Sequence, residues 1–236
     1  MATAQVREIH KRTGQRVLVV NRAGRPQWHP VFEGNLRIAR EPARNVQRLI
    51  NAGGARPYIA SKTATYWIWK RWDIAPGDIY LTPAERNFAL PHAGSILVEP
   101  NTKVPESNKA WIWDRWQELV DRGGDFIQVG PPGTRVLNGV EFVETDGFRS
   151  ACAVLAASRA FVGTEGGLHH AAAALGVKAV VLFSEFISPE FTGYPSHRNL
   201  RHAGGACGSR VSCAGCRASM AAITVDEVER HLKEIM

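Results

Sequence analysis

The chain has 236 residues, 44% hydrophobic and 22% charged, with a formal net charge of +7 and a pI near 9.5. That is the composition of an ordinary soluble protein, long enough to bury one large core or two small ones. No run of about 18 apolar residues occurs, so a membrane span is not expected. The opening MATAQVREIHKRTGQ lacks an apolar core of signal-peptide length, and a cytoplasmic protein is expected.

The positive excess favours anionic partners through long-range attraction. Nucleotide sugars, phosphorylated glycans, anionic membrane surfaces and nucleic acid all qualify, as does a solvated basic surface with no partner. There is no block of like charges of the kind that forms a dedicated nucleic-acid tail.

Residues 4–13 read as a short helix ended by Gly14 at a C-cap position, and RVLVVN (16–21) as a buried strand. Residues 22–35 are loop-like. A helix is expected over about 42–52, stopped by Gly53-Gly54. RPYIAS (56–61) reads as a second strand and DIYLT (78–82) as a third. Thr82-Pro83-Ala84-Glu85 joins a Thr N-cap, a Pro at the first helical position and a Glu three residues after the cap, which marks a helix start.

From Gly94 the alternation is cleaner. SILVEP is a strand, and Lys109 to Arg122 a helix with Trp111, Trp116 and Leu119 on its apolar side. Strands follow at 126–130, 140–145, 160–163 and 179–183, with helices at Gly147–Ser158 and Gly166–Leu175. Thr224-Val225-Asp226-Glu227 reads as a capping box opening the last helix. Such alternation predicts an α/β fold with a doubly wound parallel sheet covered on both faces. Two portions are expected, a smaller α/β part at 1–93 and a Rossmann-like domain at 94–236. Ligands of such sheets bind beyond the carboxyl ends of the strands.

One of those ends carries a chemical signal. The strand AFVG runs directly into Thr164-Glu165-Gly166-Gly167-Leu168-His169-His170 and then four alanines. A glycine pair at a strand-to-helix turn lets backbone approach a ligand and presents free N–H groups that favour a phosphate. Glu165 is placed to accept from ribose hydroxyls, and His170 to donate to a diphosphate oxygen. The bland alternative is a capped helix with solvent-facing histidines.

The stretch GTEGGLHHAAAALGVKAVVLF resembles the Asp-Ser/Thr-Gly-x-x-His-x-Ala-Ala-Ala-Leu-Gly pattern of glycosyltransferase family 9, the ADP-heptose:lipopolysaccharide heptosyltransferases. ILVEPNTKVPESNKAWIWDRWQELV resembles that family's strand, loop and Lys-x-Trp helix start. CGSRVSCAGCRASMAAITVDEVERHL resembles its cysteine-containing loop and closing helix. The resemblance covers most of residues 94–236 and implies a GT-B-like fold. It implies a glycosyltransferase that needs no metal and moves a sugar, with inversion, from a nucleotide-diphosphate donor to a hydroxyl acceptor such as an anionic glycan. By the same resemblance Glu165 takes the place of the ribose-binding Asp, and Gly166 that of the Ser/Thr. Gly167 and His170 match outright, and Lys109 falls beside the donor phosphates; Thr164 completes the set. The family's first strand and Gly-Asp loop, with its presumed catalytic base, have no counterpart ahead of the helix at which this sequence starts.

A general base is still required. Glu33, in WHPVFEGN, and Asp78, after Gly77, are candidates because they lie in or beside loops of the smaller portion; surface carboxylates are the alternative for each. SEFISPEFTGY (184–194) would reach the same sheet edge. Cys207-x5-Cys213-x2-Cys216, with His202 or His197 nearby, offers ligands for a structural zinc, although the family also has cysteines here without metal. Cys152 reads as a small core residue. Trp67, Trp69 and Trp72 lie among Lys70 and Arg71; a core-facing amphipathic element is preferred over a base-stacking surface. Beside the transferase reading stand a nucleotide-sugar-binding or regulatory protein without catalysis and a nucleic-acid-modifying protein.

Overall fold

The computed structural model describes residues 1–51, 56–104 and 107–236. Helix α1 (Ala2–Thr13) is closed by Gly14, whose φ of 69° lets its N–H return to the His10 carbonyl. Strand β1 (Arg16–Val20) is flanked in a parallel sheet by β2 (Ile38–Ala39) and β3 (Val46–Ile50). Val6 of α1 packs with Val17, Val19, Phe32 and Ile38 on one face.

The expected helix over 42–52 is instead β3, in register with β1 from Arg16↔Val46 to Val20↔Ile50. Local Arg, Gln and Leu content favours a helix, but the open edge of β1 needs main-chain partners, and only an extended segment supplies them. The expected stop at Gly53-Gly54 lies outside the described residues.

β4 (Ile59–Lys62) and β5 (Trp67–Trp69) pair antiparallel, so the expected strand at RPYIAS becomes one arm of a hairpin. The strand expected at 78–82 does not form. Its backbone is claimed by side chains: the Asp78 N–H donates to Thr3 Oγ1 at 2.9 Å, and Arg7 holds the Asp78 carboxylate. Helix α2 (Pro83–Ala89) starts as its sequence predicts. The Glu85 N–H donates to Thr82 Oγ1 at 3.2 Å, and the Thr82 N–H donates to the Glu85 carboxylate at 2.7 Å.

The remaining elements are β6 (Ile96–Glu99), α3 (Trp113–Asp121), β7 (Phe126–Gly130), β8 (Glu141–Glu144), α4 (Phe148–Ala157), β9 (Ala160–Thr164), α5 (Gly167–Leu175), β10 (Ala179–Phe183), α6 (Pro189–Thr192), β11 (Arg198–Arg201), α7 (Ala214–Ala222) and α8 (Val225–Ile235). The six strands form one parallel sheet in the order β11-β10-β9-β6-β7-β8. Alternate residues serve opposite faces. Leu97, Phe161 and Val181 meet α4 and α5, in a core that also takes in Tyr58, Ile59, Leu81 and Ala89. Ile96, Val98, Val162 and Val180 meet Trp116 and Leu119 of α3, Met220 of α7 and Val228 and Leu232 of α8. Cys152 is fully buried in the first of these cores, and burial pushes its thiol up to about 12. Arg149 of α4 grips the Glu85 carboxylate at 2.5 and 2.6 Å, tying α2 to the sheet's helical layer.

Two helix starts differ from expectation. α3 begins at Trp113, so Lys109 lies in the loop ahead of it. At α8 the Glu227 N–H donates to Thr224 Oγ1, but the Glu227 carboxylate turns to His202 at 2.8 Å instead of closing the box.

Candidate functional site at the β6–β9 crevice

Strands are added outward from β6 in one direction and from β9 in the other, so the chain reverses between these two neighbours. Ligands of doubly wound sheets sit at such a reversal, beyond the carboxyl ends. A cleft of about 940 Å³ opens there, between this edge, the β4–β5 hairpin and the start of α1.

The glycine pair is where the sequence reading puts it. β9 ends at Thr164, Glu165 follows, and α5 begins at Gly167 with Gly166 as an extended N-cap that supplies no side-chain bond. The helix therefore starts with uncapped N–H groups at the cleft wall. Close packing explains the small residues. A methyl on Gly163 would come within 2.4 Å of the Phe161 ring, and one on Gly167 within 3.3 Å of Phe148.

The cleft brings together Lys109, Thr164, Glu165, Gly166, Gly167 and His170. Glu165 is 5% exposed, and the Lys109 ammonium donates to its carboxylate and, at 3.3 Å, to its carbonyl oxygen. Burial by itself raises a carboxyl, but Lys109 and His170 outweigh it and hold Glu165 well below the ordinary carboxylate range. His170 Nε2 lies 3.5 Å from Glu165 Oε1, and Nδ1 lies 3.0 Å from the Tyr194 hydroxyl. Burial lowers the His170 imidazole and raises the Tyr194 phenol. The ring thus faces the Glu165 carboxylate with Nε2 and the Tyr194 hydroxyl with Nδ1. Both nitrogens are engaged within the chain, whereas the sequence expectation has His170 donating outward.

Glu33 and Asp78 are not brought to this group. Glu33 pairs with Arg40 at 2.7 Å. Asp78 pairs with Arg7 at 2.5 Å and Arg37 at 3.9 Å. Neither is among the residues lining the cleft, although their neighbours Phe32, Gly77 and Ile79 are.

The carboxyl that does line it is Glu99, the last residue of β6, paired across to Gly163 of β9. Among the described residues it has no hydrogen-bond or ion-pair partner, and burial pushes it up to about 8 against the pull of Lys109. The sequence reading places the strand SILVEP and passes over its final Glu. Its position at a carboxyl-terminal strand end was the available signal.

Aromatic side chains close the opposite wall. Trp67 and Trp69 stack with centroids 6.2 Å apart, and the Trp69 indole donates to the Phe186 carbonyl at 3.0 Å. Trp72 donates to the Phe191 carbonyl at 2.7 Å. All three are half-buried and pack on the core, as the core-facing reading expects, while Trp67 and Trp69 also face the cleft. Phe186 and Ile187, from the 184–194 segment, join them. Arg56 lines the rim and donates to the Tyr58 hydroxyl at 2.9 Å.

Cationic groups and uncapped N–H groups on one wall, facing aromatic rings on another, suit a ligand with a diphosphate and a flat heterocycle. No protein-family model matches the chain, and no curated protein sequence matches it. The likeness is to solved structures of transferases of α/β, GT-B-like build. The chain is similar to ADP-heptose lipopolysaccharide heptosyltransferase II of E. coli, with a TM-score of 0.51 and 19% identity, over 71% of this chain and 54% of that one. It is likewise similar to a glycosyl transferase family 9 protein of Veillonella parvula, with a TM-score of 0.51 and 14% identity, over 68% and 54% of the two chains. At these identities the likeness is one of fold, and the chain spans about half the length of the structures it matches. Among the described residues no helix is long and apolar enough to cross a membrane.

Proposed function

We propose that the chain binds a nucleotide-diphosphate sugar in the β6–β9 crevice and serves a glycosyltransferase that moves the sugar, with inversion, to an acceptor hydroxyl. The observation that carries this reading is the convergence of Lys109, the uncapped start of α5 and the Glu99 carboxyl at the reversal of strand order. The acceptor oxygen attacks the anomeric carbon, the bond from that carbon to the diphosphate oxygen breaks, and the nucleoside diphosphate leaves with the electron pair. Lys109 and the α5 N–H groups offset the charge that develops on the diphosphate, a role no metal need fill. Glu99 takes the acceptor proton; a base whose pKa lies near neutrality both ionises and accepts effectively. Glu165, with its carboxylate committed to Lys109 and His170, orients those two groups.

Residues 1–50 carry ten Lys and Arg against three Asp and Glu, so the whole net charge of +7 resides there. This supports an anionic acceptor, such as a phosphorylated glycan, approaching from that side. The solved relatives are heptosyltransferase and family 9 proteins, which supports a hexose or heptose donor.

Calorimetric titration with ADP, UDP and GDP and their sugars tests the reading. At least one should bind, and Lys109→Ala should weaken that binding at least tenfold. Transfer to an acceptor or hydrolysis of the donor should then be lost in Glu99→Gln with binding retained. Failure of every nucleotide to bind would overturn the proposal. Binding without turnover under all acceptor conditions would favour the non-catalytic alternative, which the engagement of Glu33 and Asp78 by arginines outside the cleft favours.

A further inference from the structure

We propose that Cys207, Cys213 and Cys216 form a thiolate site for a thiophilic transition-metal ion, zinc in the first instance, and that the ion pins the loop carrying Lys109 to the sheet. The three sulfurs converge from two segments: Cys207 lies in the loop after β11, Cys213 is the N-cap of α7, and Cys216 lies in its first turn. Cys207 Sγ is 3.4 Å from Cys216 Sγ and 3.9 Å from Cys213 Sγ, and the ligand atoms of all three lie within 4.8 Å of one another. Tetrahedral coordination with metal–sulfur bonds of about 2.3 Å places sulfurs about 3.8 Å apart. A disulfide would need about 2.0 Å and would leave one thiol over. Packing alone gives no reason for three half-buried or buried thiols to meet at this spacing.

The surroundings suit a cluster of negative sulfurs. Cys213 stands at a helix N-terminus, where the backbone dipole favours anionic ligands. Neither histidine close in sequence contributes. His202 is bonded to Glu227, and His197 packs against His169 and Tyr194. The Glu185 carboxylate lies over Gly215 but outside the 4.8 Å grouping of the three sulfurs, so the fourth position falls to water.

What the site would hold in place is visible from the bonds around it. Asn108 is gripped entirely by the cysteine loop: its amide donates to the Ser209 carbonyl at 2.9 Å and the Val211 carbonyl at 2.8 Å, and its oxygen accepts from the Cys213 N–H at 3.0 Å. The next residue is Lys109. The same loop fixes the aromatic wall, because the Trp67 N–H donates to the Gly208 carbonyl at 2.8 Å and the Gly208 N–H donates to the Phe186 carbonyl at 2.9 Å. One ion would thus brace both walls of the cleft.

Elemental analysis of the full chain, purified without chelator under reducing conditions, tests this. Close to one zinc or iron per chain is expected, lost in Cys207→Ser, Cys213→Ser and Cys216→Ser and kept in Cys152→Ser. Because a serine variant can fail to fold, the wild-type protein is also stripped and titrated with cobalt(II). A thiolate-to-cobalt charge-transfer absorption should saturate at one equivalent. Stripping should also raise the acylation of Lys109 by an amine reagent, read by peptide mass spectrometry, at least threefold. Absence of both bound metal and the cobalt absorption, or a disulfide within the trio in reduced protein, overturns the metal site. Metal binding with unchanged Lys109 acylation overturns the bracing role. None of these readouts uses a nucleotide sugar, so the outcome is independent of the proposed transfer reaction.

Discussion

The Lys109 ammonium closes on the carboxylate of Glu165, 56 residues further along the chain, and this pair joins the loop before α3 to the turn after β9. Glu165 is buried while Lys109 keeps 27% of its side chain exposed. The cation therefore retains a face toward the cleft while its partner is committed.

Removing the cation leaves a buried carboxylate uncompensated. Lys109→Met is expected to destabilise the fold by roughly 2–3 kcal/mol near neutral pH, less than a fully buried pair because Lys109 is partly solvated. Glu165 has a depressed pKa when folded, so its contribution is present above the unfolded carboxylate value and is lost as pH falls through the folded one. Urea denaturation from pH 7 down to pH 3 should show the two proteins converging on the acid side. Curves that stay parallel would show that the difference does not come from the Glu165 charge, and superimposed curves that the pair contributes nothing.

Glu99 acts in the opposite sense. Its folded pKa of about 8 lies above the unfolded value, so the chain loses stability as pH rises from the ordinary carboxylate range to about 8. Glu99→Gln should remove that slope and leave the variant roughly 1–3 kcal/mol more stable than wild type at pH 8.5, with little difference at pH 4. Equal pH dependence in both proteins would show an ordinary solvated carboxyl.

His169 and His197 are buried with ring centroids 5.3 Å apart, and among the described residues neither ring has a side-chain hydrogen-bond partner. Burial is the main cause lowering both, to about 4 for His197. Depressed imidazoles give stability that is full above pH 6.5 and is lost as pH falls toward the folded values. His197→Gln should flatten the stability curve between pH 6.5 and 4, which thermal melts across that window would reveal.

Gly208 has φ of +62°, and a methyl there would stand 2.0 Å from the Trp67 carbonyl oxygen. Gly208→Ala should undock the β4–β5 hairpin, red-shift tryptophan emission and cost about 2 kcal/mol or more. Gly163→Ala, facing the buried Phe161 ring at 2.4 Å, should cost about 1–3 kcal/mol by overpacking while leaving the hairpin's emission unchanged.

Local pattern was enough for five of the six strands of the large sheet, β11 (Arg198–Arg201) being the one it passes over, and for the place of the crevice. Short, β-branched apolar runs such as AVVLF, lying between Gly176 and Ser184, fit a strand covered on both faces, and helix starts such as Thr82-Pro83-Ala84-Glu85 act through neighbours in sequence. The glycine turn after β9 was legible for the same reason, since its chemistry is local. Tertiary structure alone decided what depends on distant partners. Residues 46–50 became a strand because β1 offered an open edge, and Asp78 left the field of candidate bases because Arg7 and Arg37 reach it from other elements. Glu99 entered it because strand order, which no local pattern encodes, sets β6 beside β9. Asn108 and the three cysteines meet only through side-chain bonds spanning a hundred residues, and burial with the neighbouring charges it brings, rather than residue type, sends the carboxyls of Glu99 and Glu165 in opposite directions.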